Sequence, residues 1–243
     1  MVRYLDELLG AAVIKDYCPN GWQVEGAPTV RRAVCAVTAS LAVVRAAAAR
    51  GADALLVHHG YFWRGEDPRV LGVRRARLRA LLSADINLIA YHLPLDLHAE
   101  FGNNASLGAV MGWPIAATGG EHGLIALADL PALQSAADLR AALTTRLGRE
   151  PLLVGALERP IRRIGWCTGA AQDLLEAAID LGVDAFVSGE ISERTTHLAR
   201  EAGVVYAAAG HHATERFGIQ ALARHLTDRF GVPVEFIDDP NPV

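Results

Sequence analysis

The sequence predicts an α/β protein with largely parallel strand pairing, and three observations predict it. Short apolar runs at residues 33–38, 54–57, 86–91 and 204–209 read as strands and alternate with helical segments. Three of those runs stop abruptly at histidines followed by glycine or by an acid. The chain also repeats its own order of elements once.

Taken in order, residues 2–13 read as a short helix with Tyr4, Leu5, Leu8 and Leu9 on one side. Residues 16–26 are turn-rich, and Asn20-Gly21 suits a tight turn. After strand 33–38, the alanine-rich stretch 40–50 is helical and stops at Gly51. Strand 54–57 then runs into His58-His59-Gly60. Tyr61-Phe62-Trp63 follows and reads as core, although an aromatic wall also suits a flat ring. Residues 69–82 form a basic helix in which Arg74, Arg75, Arg77 and Arg79 read as a solvated face rather than a phosphate trap. Strand 86–91 leads into His92-Leu93-Pro94-Leu95-Asp96. Between residues 121 and 160 only helix 135–147 and strand 151–154 are legible. Strand 204–209 ends in Gly210-His211-His212-Ala213-Thr214-Glu215, which opens an amphipathic helix.

The repeat emerges when Arg31-Arg32 is set against Arg162-Arg163 without gaps. Ala39, Ala46, Ala47, Gly51, Asp53 and Ala54 then meet identical residues at Ala170, Ala177, Ala178, Gly182, Asp184 and Ala185. His59 falls opposite Glu190, and across a shorter connection His92 and Asp96 fall opposite His211 and Glu215. The expected division is a first repeat over residues 1–125 and a connecting segment with a second repeat over 126–243.

Bulk properties exclude several function classes. With 243 residues the chain can bury a real core, and 51% hydrophobic with 21% charged residues is an ordinary globular balance. A formal net charge of -4 gives no electrostatic case for nucleic acid. Cys18, Cys35 and Cys167 are unpaired in spacing, which argues against a disulfide framework or thiolate metal site and fits a reducing cytoplasm. The acidic N-terminus lacks a signal-peptide core, and no apolar run reaches the roughly 18 residues of a membrane span.

The chemistry concentrates at strand ends. His211 and Glu215 are four apart and share a helix face, as do His92 and Asp96. Together with His58 and His59, they offer imidazole and carboxylate without thiolate, a set suited to Zn, Mn, Fe, Co or Ni. Five strong ligands (His58, His59, Asp96, His211 and Glu215) exceed what one open catalytic zinc takes from protein, so a pair of ions sharing a carboxylate is expected. Each piece has a plainer reading: Glu215 as a first-turn acid, Asp96 as a cap, His92 as a satisfied buried histidine. His92, His98, Asn103, Asn104, Glu190 and His197 are candidates to orient ligands or substrate. Thr168-Gly169 could present backbone amides to an anion.

These same segments carry a resemblance. His58 to Trp63, Tyr91 to Asp96, Asp184-Ala185-Phe186, Ser188-Gly189-Glu190 and Gly210 to Arg216 are similar to the dinuclear-metal-centre hexameric proteins. That family is also called Nif-three-like or GTP cyclohydrolase 1 type 2 homologue, and the bacterial YbgI type is the nearest branch. The likeness spans the chain, including Asn20 to Val24 and the tail Phe236 to Pro242. It implies two intertwined α/β repeats with mixed β-sheets, a toroidal homo-hexamer, and two divalent metal ions per subunit on His58, His59, Asp96, His211 and a bridging Glu215. Arg64 departs from a usual lysine, and Ala170-Ala171 from a glycine-rich turn, which weakens the anion-nest idea there. The expected activity is metal-dependent hydrolysis of a nucleotide or related heterocycle, with His92 or Glu190 moving protons. The alternative is a metal-binding adaptor or metal-handling protein without turnover.

Overall fold

The computed structural model describes Met1–Val243. In chain order the elements are α1 (Val2–Leu8), β1 (Gly21–Val24), β2 (Ala33–Thr38), α2 (Leu41–Ala49), β3 (Ala54–His59), α3 (Gly72–Ser83), β4 (Asn87–Ala90) and α4 (Leu93–Leu97). They continue as α5 (Asn103–Met111), β5 (Ala117–Gly119), β6 (Ile125–Gln134), α6 (Ala136–Leu147), β7 (Leu152–Gly155) and β8 (Ile161–Trp166). The last are α7 (Leu175–Asp180), β9 (Ala185–Ser188), α8 (Glu193–Glu201), β10 (Val205–Ala208), α9 (His211–Phe230) and β11 (Val234–Phe236). The fold is mixed α/β with two mixed sheets.

The chain divides into two compact units: Met1–Gly102 with Gly218–Pro240, and Asn103–Phe217 with Asn241–Val243. In the first, the strand order is β1-β4-β3-β2-β11, all parallel except the antiparallel edge β1. Alternation sends Val34, Ala36, Leu55 and Val57 to one face, under α2 and α3. Cys35, Val37, Leu56 and Ile89 face the other way, against α1 and the Ile219, Leu222 and Leu226 stripe of α9. That stripe and β11 give the first unit its C-terminal segment. Each such fully buried aliphatic side chain contributes about 1.5–3 kcal/mol.

In the second unit the order is β5-β6-β8-β9-β10-β7, with β8, β9 and β10 parallel and the rest antiparallel. Its core contains the fully buried aromatic side chains Trp166, Phe186 and Tyr206. Here β6 and α5 had no legible pattern: β6 buries its first residues and exposes its last, with Pro131 inside.

The two units share one register. Ala33 pairs with Ala54 in the first and Ile164 with Ala185 in the second, both offset by the spacing of the sequence repeat. The repeated residues have a mechanical reason. The Asp53 carboxylate accepts the amides of Arg31 and Arg32 at 2.7 and 3.0 Å. The Asp184 carboxylate accepts those of Arg162 and Arg163 at 2.9 and 2.8 Å. Each aspartate thereby ties the start of one parallel strand to the start of the next. Burial pushes the Asp184 carboxyl up, but these amides and Arg159 outweigh it and hold the pKa below the usual carboxylate value.

Boundaries shifted where backbone demanded it. The first helix ends at Leu8 because Gly10 turns left-handed. Asn20-Gly21 does not close a hairpin; Gly21 begins β1 and Asn20 is used elsewhere, as described next. The helix expected from residue 69 starts at Gly72.

Candidate metal centre

In the first unit, β2, β3 and β4 run parallel, so their carboxyl ends line up and ligands gather there. Adjacent strand residues normally face opposite sides. The strand ends at His59, however, and the His58 and His59 rings lie 4.5 Å apart. Gly60 is required at this corner, since a Cβ there would sit 2.2 Å from the Gln23 Oε1 and 2.6 Å from the Ala90 Cβ.

His58 is fully buried, so its polar atoms need partners. Its Nδ1–H donates to the Tyr91 carbonyl at 3.0 Å. A carbonyl only accepts, which sets the tautomer and leaves the Nε2 lone pair 3.6 Å from the Asp96 Oδ1. His59 Nδ1 is held by the Thr38 hydroxyl at 3.1 Å. His92 Nδ1 meets the Asp16 Oδ1 at 2.8 Å. The same carboxylate accepts the Leu93 amide and the Asn20 side-chain amide, so Asp16 clamps the whole corner. Burial pushes Asp16 up, but its bonds to His92, Asn20 and Tyr17 prevail and lower its pKa to about 2. Donor atoms of His58, His59 and His92 lie within 4.8 Å of one another, as do those of Asp16, Cys18 and His92. Burial, reinforced by Asp16, pushes the Cys18 thiol up to about 12.

The second unit repeats the device. His211 opens α9 and Glu215 stands one turn further along the same face, with Nε2 and Oε2 3.2 Å apart. His211 Nδ1 meets Glu190 Oε1 at 2.6 Å, and Glu190 follows the end of β9. Burial alone would lower the His211 pKa, yet Glu215 and then Glu190 raise it to about 9. Gly169 and Gly189 make the space: a Cβ on Gly169 would lie 2.2 Å from the Glu215 Oε1, and one on Gly189 2.6 Å from the His211 Cα.

Do these residues suit a metal ion? In His58 and His211 the Nδ1–H is given to an oxygen acceptor while Nε2 faces a carboxylate, the arrangement that presents imidazole to a cation. Donor atoms of His58, His59, His92, Asp96, His211 and Glu215 all belong to groups able to hold an ion. The chemistry is nitrogen and oxygen only, and it fits a divalent transition metal.

Other expectations resolve differently. The Thr168 and Gly169 amides are taken by Asn104 Oδ1 and Thr214 Oγ1, so this turn is not an anion nest. Asn104 is a structural bracket that also donates to the Leu124 carbonyl. His98 Nδ1 accepts from the Phe101 amide and its ring stacks on Phe101. His197 is exposed on α8. His225 is hydrogen-bonded to the Tyr4 hydroxyl at 2.5 Å. Sequence reading missed Asp16 and Thr38, which lie 76 and 21 residues from the histidines they hold. Nothing local marked them.

Two α/β units built to one register, each with histidine and carboxylate at the carboxyl ends of parallel strands, define a protein with candidate metal-ligand groups of the Nif-three type. The comparisons agree: the family description Duf34/NIF3 (NGG1p interacting factor 3) matches residues 1–242. The chain belongs to the DUF34/NIF3 family. It is 52% identical to a Pseudomonas aeruginosa protein named GTP cyclohydrolase 1 type 2 homolog, covering 100% of this chain and 97% of that one. An Escherichia coli protein of the same name is 48% identical, with 99% and 97% covered. Among solved structures, protein ybgI, described as of unknown function, superposes with a TM-score of 0.96 at 47% identity over 100% of this chain and 98% of that one. A protein from Thermus thermophilus gives 0.90 at 37% identity, with 100% and 98% covered. No helix is long and apolar enough to cross a membrane.

Proposed function

We propose that this protein is a divalent-metal-dependent hydrolase acting on a nucleotide or related heterocycle. Two ions per subunit would be held by His58, His59, Asp96, His211 and Glu215. The observation that supports it most is the paired tethering of His58 and His211, each with Nδ1–H on an oxygen and Nε2 beside a carboxylate. Bound divalent ions of this kind acidify a water and polarise the bond under attack. The chain supplies the rest. Asp16 holds His92 in one orientation beside the His58 and His59 rings, with centroids at 5.0 and 5.7 Å, where it can accept and return a proton. Glu190 positions His211 rather than serving as a free base. The GTP cyclohydrolase 1 type 2 homolog name of the relatives motivates the nucleotide class. The family resemblance adds a homo-hexamer to the proposal.

The test is turnover of a nucleotide panel by Mn- or Zn-loaded protein, His58→Ala and Glu215→Gln. Product from the wild type alone is expected. Equal turnover in all three sinks the reading. Product from none of them, with tight metal retention, favours a metal-binding adaptor.

A pH dependence follows from His211. Its pKa is raised, so the proton it gains on folding stabilises the metal-free chain fully below about 6.5, and that contribution disappears as pH climbs through about 9. A metal ion must displace this proton. Apparent metal affinity is therefore expected to rise about tenfold per pH unit between roughly 6.5 and 9 and then level off, as measured by competition with a chromophoric chelator. A flat profile over that range contradicts it.

A further inference from the structure

One cavity of about 410 Å³ lies in the first unit, where the chain leaves the histidine corner and enters α3. Tyr61 and Trp63 line it, and its charged lining is Arg69, Arg74 and Arg77 together with Glu66 and Asp67. Two of those arginines are already neutralised. Arg69 is paired with the Asp67 carboxylate at 2.6 Å, and Arg74 with Glu66 at 2.5 Å. Arg77 has no carboxylate partner. Its guanidinium lies 5.7 Å over the Tyr61 ring, with Nε packed away from solvent and the half-buried side chain lining the cavity. An arginine without a carboxylate partner at the wall of a cavity suits a phosphate, whose oxygens accept the guanidinium N–H groups that face the cavity.

A second feature points the same way. The 12-residue helix α3 begins at this cavity, with Leu71 and Val73 among the lining residues. Its N-cap position is Leu71, no side chain caps it, and no acid stands in its first turn. Helix N-termini left in that state favour an anion. Phe62, at φ 66°, holds a left-handed conformation rare for a bulky residue. It lies between buried Tyr61 and half-buried Trp63. The Trp63 indole then serves two places, lining the cavity and meeting the His59 and His92 rings at 6.0 and 4.9 Å. The basic helix is thus only partly the solvated face it resembles in sequence. Arg75 and Arg79 are exposed, whereas Arg74 and Arg77 line the cavity.

We propose that this cavity binds the phosphate group of a phosphorylated small molecule through Arg77, with a flat ring of that molecule against Trp63. The inference deepens the hydrolase reading by naming where its substrate is held, and it rests on that reading only for the consequence of binding. Binding itself needs no metal, so chelator-treated protein can be used.

Isothermal titration with adenosine 5′-monophosphate, adenosine and inorganic phosphate is the experiment. The monophosphate is expected to bind at least about tenfold more tightly than adenosine. Arg77→Gln should lose at least about tenfold in monophosphate affinity, Arg77→Lys should recover part of it, and Arg75→Gln should match the wild type. Metal content should be unchanged in all of these variants. The proposal is overturned if the wild type does not bind the monophosphate, if adenosine binds as well, or if Arg77→Gln and Arg75→Gln behave alike. Failure of the hydrolase reading shows separately, as absence of turnover while Arg77-dependent binding persists.

Discussion

Glu215→Gln is expected to leave the protein nearly free of metal, with both ions lost, whereas His58→Ala or His59→Ala loses mainly one. Glu215 is buried, with one oxygen 3.2 Å from the His211 Nε2 and the other beside the Gly169 backbone. A carboxylate held this way is acceptor-only and can give an oxygen to each of two cations; the isosteric amide offers one oxygen and turns a donor toward them. It also removes the charge that offsets the ions in a shielded site. Elemental analysis of purified protein reads the outcome directly, and far-UV circular dichroism confirms that the variant is folded. Wild-type metal content in Glu215→Gln rules out the bridging role. Loss of both ions from His58→Ala rules out the division of ligands between two ions.

Gly169→Ala is expected to destabilise the metal-free protein by about 2–4 kcal/mol and to reduce its metal content. Two independent causes add. The residue sits at φ +71°, where alanine costs about 1 kcal/mol relative to glycine. The added Cβ would also lie 2.2 Å from Glu215 Oε1, on a side chain with 4% exposure that has no room to swing outward. Gly182→Ala separates the causes. It has φ +76° and nothing within 4 Å of its Cβ, so only the backbone cost of about 1 kcal/mol applies and metal content stays at wild type. Urea unfolding with chelator present, alongside elemental analysis, compares the two. Equal destabilisation with full metal in both variants refutes the steric argument.

Much of the architecture was legible because local pattern carried it. The strands after residues 31 and 162 share a register that eight identities had marked, and the backbone amides held by Asp53 and Asp184 explain why those identities include an acid. Helices with a strong local signal came out within a residue or two, such as α6 with its Ser135–Asp138 capping box. By contrast, β6 and α5 carry no clean period and went unread. The C-terminal half of α9 and β11 belong with the first sheet through their apolar stripe, a placement that linear order hides.

The sequence by itself determined the ligand chemistry: imidazole and carboxylate at strand ends, four residues apart on a helical turn, with no thiolate pattern. Those are properties of residue type and period, and both are local. Tertiary structure decided which ring nitrogen each histidine presents, because Tyr91, Thr38, Asp16 and Glu190 reach them from elsewhere in the chain. It also decided which arginines of one basic helix line a cavity. Hydrogen-bond direction and burial depend on neighbours brought close by folding, and sequence separation says nothing about them.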